Sequence, residues 1–216
     1  MAARFADFRV AVADLVPDVQ MIVVDDGSPN ENARAIFLRL TEIEPRSRVI
    51  AYPDGINRGK GYALRKGVDF SAADYQLVTD ADFPYTIESM RRIVATLLDK
   101  GGIAAGNRDT AYYEKVPFFR RLLSRSLRWL LRNVLRQPIG DSQCGLKGFD
   151  EAGKKIFLET TIDRFLFDLE FLMLADGRVP VTPVPVELRA GVTFSKVGWK
   201  ILATEGRNFL WLLLRK

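Results

Sequence analysis

Residues 76–100, QLVTDADFPYTIESMRRIVATLLDK, carry an apolar run, an acidic turn and a helical repeat in that order. Tyr75–Thr79 has the character of a buried strand. Asp80 and Asp82 stand one residue apart where the chain leaves it. From Ile87 to Leu98 apolar residues recur with a period of about 3.6, which predicts a helix. The same succession recurs on both sides. Upstream, Met21–Val24 reads as a strand ended by the turn DDGSPN, and Asn30–Glu42 as a helix. Arg48–Tyr52 reads as a second strand, and NRGKGYALRKG (57–67) opens a helix after a Gly-rich turn. Downstream, Ile103–Gly106 is a short strand, Pro117 and Pro138 bound a long helix, and Glu151–Leu158 is another. VTPVPVEL (181–188) is strand-like; CGLKGF (144–149) and the acidic segment RFLFDLEFL (164–172) precede it. Strands alternating with helices argue for an α/β sheet with helices on both faces. One domain is expected over 1–197, followed by a C-terminal amphipathic helix over 198–216.

The composition narrows the chemistry. At 216 residues, 48% apolar and 27% charged, the chain suits one soluble globular domain. It has no histidine, which removes the usual general base, the triad and the zinc ligand of that type. Carboxylates, Lys, Arg, Tyr, Ser and oxygen-bound hard metals remain. Cys144 is the single cysteine, so no internal disulfide forms, and a reducing, cytoplasmic setting fits. The opening MAARFADFRVAVADLVPDV has an amphipathic helical look and is no secretory signal, and no run reaches 18 apolar residues.

Three stretches have the residue types for binding. Asp25 and Asp26 follow the first strand, and ligands of open α/β sheets bind beyond the carboxyl ends of strands. A plain acidic N-cap reads equally well there. In NRGKGYALRKG, amides at a helix start favour a phosphate, although the P-loop pattern is absent and a solvated basic face fits too. In TDAD, two carboxylates in extended chain can bracket one Mg²⁺ or Mn²⁺, with a diphosphate supplying further oxygens. The bland alternative is a solvated loop.

Taken in order, VVDDGS, NRGKGYALRKG, TDAD, GNR (106–108), DSQCGLKGF (141–149) and FDLEF (167–171) resemble the family 2 glycosyltransferases. The likeness is to the branch that loads a sugar onto a polyprenyl phosphate, dolichyl-phosphate glucosyltransferases among them. It runs from about Gln20 to Lys196. The resemblance implies a GT-A fold, a mixed and mostly parallel sheet flanked by helices, and a nucleotide-diphosphate sugar donor, UDP-glucose preferred. By position it puts Asp25, Asp26 and Ser28 at the nucleotide, Lys60 near the donor, and Asp80 and Asp82 at the metal and diphosphate. Arg108 would face phosphates or acceptor, Asp141, Gln143 and Cys144 would line the sugar pocket, and Asp168 and Glu170 would lie near the acceptor. Asp168, then Glu170, is the candidate base if the acceptor is a hydroxyl. Two features depart from the pattern. The family's first strand, with its PAYNE-like turn, is missing ahead of MIVVDDGS, which keeps open a nucleotide-sugar-binding scaffold without turnover. Pro84 stands where mannosyl relatives often carry Gln.

VPFFRRLLSRSLRWLLRNVLRQP (116–138) places Arg121, Arg125, Arg128, Arg132 and Arg136 on one helical stripe, with leucines and Trp129 on other faces. That suits an anionic membrane surface at the cytoplasmic face; an ordinary helix with its apolar side in the core is the alternative. With so few interleaved aromatics, nucleic acid is not an expected partner. The apolar Phe209–Leu214 suits an interface, the domain, or a second subunit, and the oligomeric state stays open.

Overall fold

The computed structural model describes residues 1–28, 31–52, 54–108, 141, 144–192, 205–209 and 211–212. The Arg-bearing helix expected between Pro117 and Pro138, and Gln143, lie outside them. In chain order the elements are α1 (Ala2–Ala11), β1 (Met21–Asp25), α2 (Glu31–Ile43), β2 (Ser47–Ala51), α3 (Lys60–Phe70) and β3 (Gln76–Val78). They continue with α4 (Ile87–Lys100), β4 (Ile103–Arg108), β5 (Lys147–Phe149), α5 (Glu151–Glu159), α6 (Phe167–Ala175) and β6 (Val181–Val186).

Local signals set several boundaries. Thr86 caps α4, its hydroxyl accepting from Ser89 N at 3.2 Å, and Gly101 ends the helix at φ 63°. Asp150 caps α5 through Gly153 N at 3.0 Å and also accepts from Gly102 N at 2.7 Å, joining that helix start to the start of β4.

Among the described residues the strands form two sheets. β1 and β2 are parallel, with Met21 opposite Ser47. The other sheet runs β3-β5-β4-β6, with β5 antiparallel to both neighbours and β4 parallel to β6. One apolar layer serves both sheets: Met21 and Val23 of β1 join Phe5 and Phe8 of α1, Met90 and Ile93 of α4, and Val184 of β6. The strand that the resemblance places ahead of β1 has no counterpart among the described residues, where α1 leads into β1.

A second cluster unites Phe149, Phe157, Phe167 and Phe171, with ring centroids 4.9 Å apart for Phe157 and Phe171. α6, unassigned from the sequence, is buried along nearly its whole length, Asp168 and Glu170 included. A helix covered on all sides shows no amphipathic period. The helical residues 205–209 and 211–212, expected as part of an appendage, are joined to the domain. Leu212 is buried in this cluster, and the Glu205 carboxylate accepts from Leu166 N at 2.9 Å.

Candidate active site

The β1 exit, the α3 start, the turn after β3 and the entry to β5 meet at one corner. Asp25 is buried, and its Oδ1 accepts from Ser28 N at 3.0 Å, shaping the turn after β1. Asp26 accepts from Arg58 N and Gly59 N, each at 2.8 Å, and its carbonyl accepts from Asn57 Nδ2. Those amides belong to the helix start expected to cradle a phosphate. The Asp26 carboxylate accepts from them, so this side chain joins two loops. The loops lie backbone to backbone: a Cβ on Gly27 (φ 70°) would come within 2.5 Å of Ile56 C.

Lys60 opens α3, and its Nζ lies 2.6 Å from Asp80 Oδ1. Burial of Lys60 works against its charge, but Asp168 and Asp80 outweigh it and hold its pKa above the ordinary value. Gly145 closes the corner: a Cβ there would stand 2.8 Å from Asp80 Oδ2 and 3.1 Å from Lys60 Nζ. Asp82 is exposed on the same turn. Tyr85, buried behind it, accepts from Gly145 N at 3.0 Å and meets Cys144 Sγ at 3.3 Å. Burial pushes the Tyr85 hydroxyl and the Cys144 thiol upward, so both stay protonated. Cys144 is therefore an uncharged part of the wall.

Of the expected charged residues, Arg108 and Asp141 also pair with each other. Arg108 holds Asp141 through Nε at 2.6 Å and Nη2 at 2.7 Å, and the Arg108 backbone N–H adds a third bond. Asp168 is buried against Lys147, whose Nζ lies 2.5 Å from Asp168 Oδ1 and donates to Cys144 O at 2.5 Å. Lys147 escaped sequence reasoning. The available signal was a lysine within the apolar, glycine-bearing stretch CGLKGF.

Glu170 accepts from Thr161 N and Ile162 N through Oε2, each at 2.8 Å, and from Thr161 Oγ1 through Oε1. It is 1% exposed and holds a loop. That loop presents the Asp163 carbonyl to Gly61 N at 2.8 Å. Glu170 thus supports the α3 start, and through it Lys60.

Mg²⁺ and Mn²⁺ take carboxylate oxygens, and Asp80 and Asp82 offer them at the rim of this corner. Among the described residues no group of three or more His, Cys, Asp or Glu could form a closed cage. The donor set fits a partial shell that phosphate oxygens and water complete.

The model of glycosyl transferase family 2 matches residues 9–161. A dolichyl-phosphate beta-glucosyltransferase of Dictyostelium discoideum is 31% identical over 183 residues, covering 80% of this chain and 56% of that protein. The enzyme of that description from Homo sapiens is 30% identical over 208 residues, covering 91% and 64%. The chain thus spans less than two thirds of the length of either relative. Among solved structures, mannosyl-3-phosphoglycerate synthase from Rubrobacter xylanophilus superposes with a TM-score of 0.69 at 13% identity, covering 99% of this chain and 68% of that one. Glucosyl-3-phosphoglycerate synthase from Mycobacterium tuberculosis, in complex with Mn²⁺, UDP and glucosyl-3-phosphoglycerate, gives 0.53 at 17% identity, covering 95% and 72%. These likenesses give the fold, GT-A.

Proposed function

The chain belongs to glycosyl transferase family 2, and on that premise we propose that it moves a sugar from a nucleotide-diphosphate donor, UDP-glucose preferred, to a polyprenyl phosphate or related membrane acceptor. The curated relatives named above support the acceptor class. The observation that carries the reading is the corner where Lys60, Asp80 and Gly145 converge with Asp168 and Lys147 behind them.

In this reading Asp80 and Asp82 hold Mg²⁺ or Mn²⁺, which when bound neutralises the donor diphosphate as leaving group. Lys60 adds a fixed positive charge beside the diphosphate, and the Gly145 backbone lets it approach. The acceptor phosphate oxygen attacks the anomeric carbon as the bond to the diphosphate oxygen breaks, with inversion. An acceptor already ionised at neutral pH needs no proton removed. The pairing of Asp168 with Lys147 and of Glu170 with residues 161–162 supports such a base-free step over attack by a hydroxyl. Arg108 and the Arg121/Arg125 end of the basic stretch would orient the acceptor, and that stretch would seat the protein peripherally on the cytoplasmic membrane face. Among the described residues no helix is long and apolar enough to cross a membrane.

The test is release of UDP or GDP from a panel of donors with Mn²⁺, with and without polyprenyl phosphate. UDP release that needs the lipid phosphate, and that Asp82→Ala removes, is expected. Full turnover by Asp82→Ala refutes the metal role, and donor binding without turnover identifies a scaffold.

A further inference from the structure

We propose that Arg189, just beyond β6, is a positioning residue that fixes the backbone turn carrying Asp80 and Asp82. The inference rests on the donor-binding role proposed for that turn. Arg189 Nε donates to Phe83 O at 3.0 Å and Nη2 to Asp82 O at 3.3 Å. Its own N–H donates to Pro84 O at 2.9 Å. One residue therefore holds three consecutive carbonyls. A planar guanidinium suits this because its fork reaches two acceptors at a set spacing, which an ammonium cannot do with the same geometry.

The turn needs such a hold. Phe83 sits at φ 49°, the one positive φ of a non-glycine side chain among the described residues. Bulky residues adopt that conformation only where their surroundings over-determine it, and such strain gathers at functional sites. On one side the Phe83 ring is buried in the apolar layer shared by the two sheets. On the other, the chain after β6 is fastened to the turn: Tyr85 bridges to Leu188, Thr86 N donates to Glu187 O at 3.0 Å, and Glu187 N donates to Ser89 Oγ at 2.9 Å. Arg189 ends this fastening at the point nearest the two aspartates. It supplies no ligand itself. Its effect is to preorganise the spacing between Asp80, already held by Lys60, and Asp82, which is exposed.

The experiment compares wild type, Arg189→Met and Arg189→Lys by electron paramagnetic resonance titration of Mn²⁺ with UDP present. Amide hydrogen exchange over residues 82–86, melting temperature and steady-state constants complete it. Arg189→Met is expected to keep a melting temperature close to wild type, exchange faster at 82–86, and bind Mn²⁺–UDP about tenfold more weakly, as loss of charge-assisted bonds that preorganise a site would give. The donor KM rises and the polyprenyl phosphate KM does not. Arg189→Lys, with one charged donor kept, recovers part of the affinity. Unchanged exchange and affinity in Arg189→Met overturn the proposal, as does a loss confined to the acceptor KM. Failure of the wild type to bind Mn²⁺–UDP sinks the donor reading alone, because the exchange comparison still judges the clamp.

Discussion

Removing the Lys147 ammonium tests whether the buried pair behind the corner is structural. Lys147 is fully buried, and the Asp168 side chain is 6% exposed. Lys147→Met keeps much of the volume and apolar length, so packing changes little. It leaves the Asp168 carboxylate buried without its nearest cation, and breaking a buried pair from one side costs about 3–5 kcal/mol. Lys60 also feels the charge of Asp168, which argues for the lower end of that range. In a chain of this size each kcal/mol moves the melting temperature by about 2–4 °C, so a fall on the order of 10 °C is expected. Lys147→Met with Asp168→Leu removes both charges and should regain most of the loss, since apolar replacement of a buried pair is often near neutral. Thermal unfolding at fixed protein concentration and pH 7 measures all four members of the cycle. A single variant that melts within about 2 °C of wild type would refute the reasoning, and so would a double variant no better than the single.

Two glycines at the corner should respond in opposite ways. In Gly145→Ala the new methyl meets only the far ends of Asp80 and Lys60, which can move. The melting temperature should shift by less than about 3 °C, while kcat/KM for the donor falls about tenfold; unchanged turnover counts against the corner. Gly61→Ala places a Cβ 2.4 Å from Ile162 O and 2.8 Å from Phe167 Cβ, so the backbone must shift. A cost of about 1–3 kcal/mol, seen as a lower urea midpoint, is expected. Burial works against the Lys60 charge, but Asp168 and Asp80 hold its pKa above the ordinary lysine value. Its stabilisation is therefore fully present below that value and is lost only as pH rises through the folded-state value. The stability lost in Lys60→Met should be equal at pH 6 and pH 9, and a smaller loss at pH 9 would show that Lys60 titrates in between. Finally, Arg125→Glu with Arg132→Glu should abolish sedimentation with anionic vesicles, and unchanged sedimentation would remove the membrane proposal.

Much of the architecture was legible because its signals are local. Alternating apolar runs and 3.6-residue periods marked β1, β2, β3, α3 and α4 to within a few residues, and Asp80 and Asp82 could be placed at a strand exit on pattern alone. β5 and α6 were not legible. β5 is three residues long and lies between two antiparallel neighbours, and α6 is buried along nearly its whole length, its two acids included. Neither produces a period to detect.

Which charges meet was decided elsewhere. The sequence alone settles that carboxylates follow strands and that lysine and arginine stand nearby. It does not settle that Asp26 bonds the amides of Arg58 and Gly59, that Arg108 closes on Asp141, or that Lys147 neutralises Asp168. Each of those partnerships spans between 21 and 33 positions of chain. Secondary structure follows from dihedral preferences and burial period over a few neighbours. An ion pair exists only once packing has brought distant groups together and removed the water between them. The tertiary structure therefore determined which of the acids remain at the rim to meet a ligand and which became part of the framework.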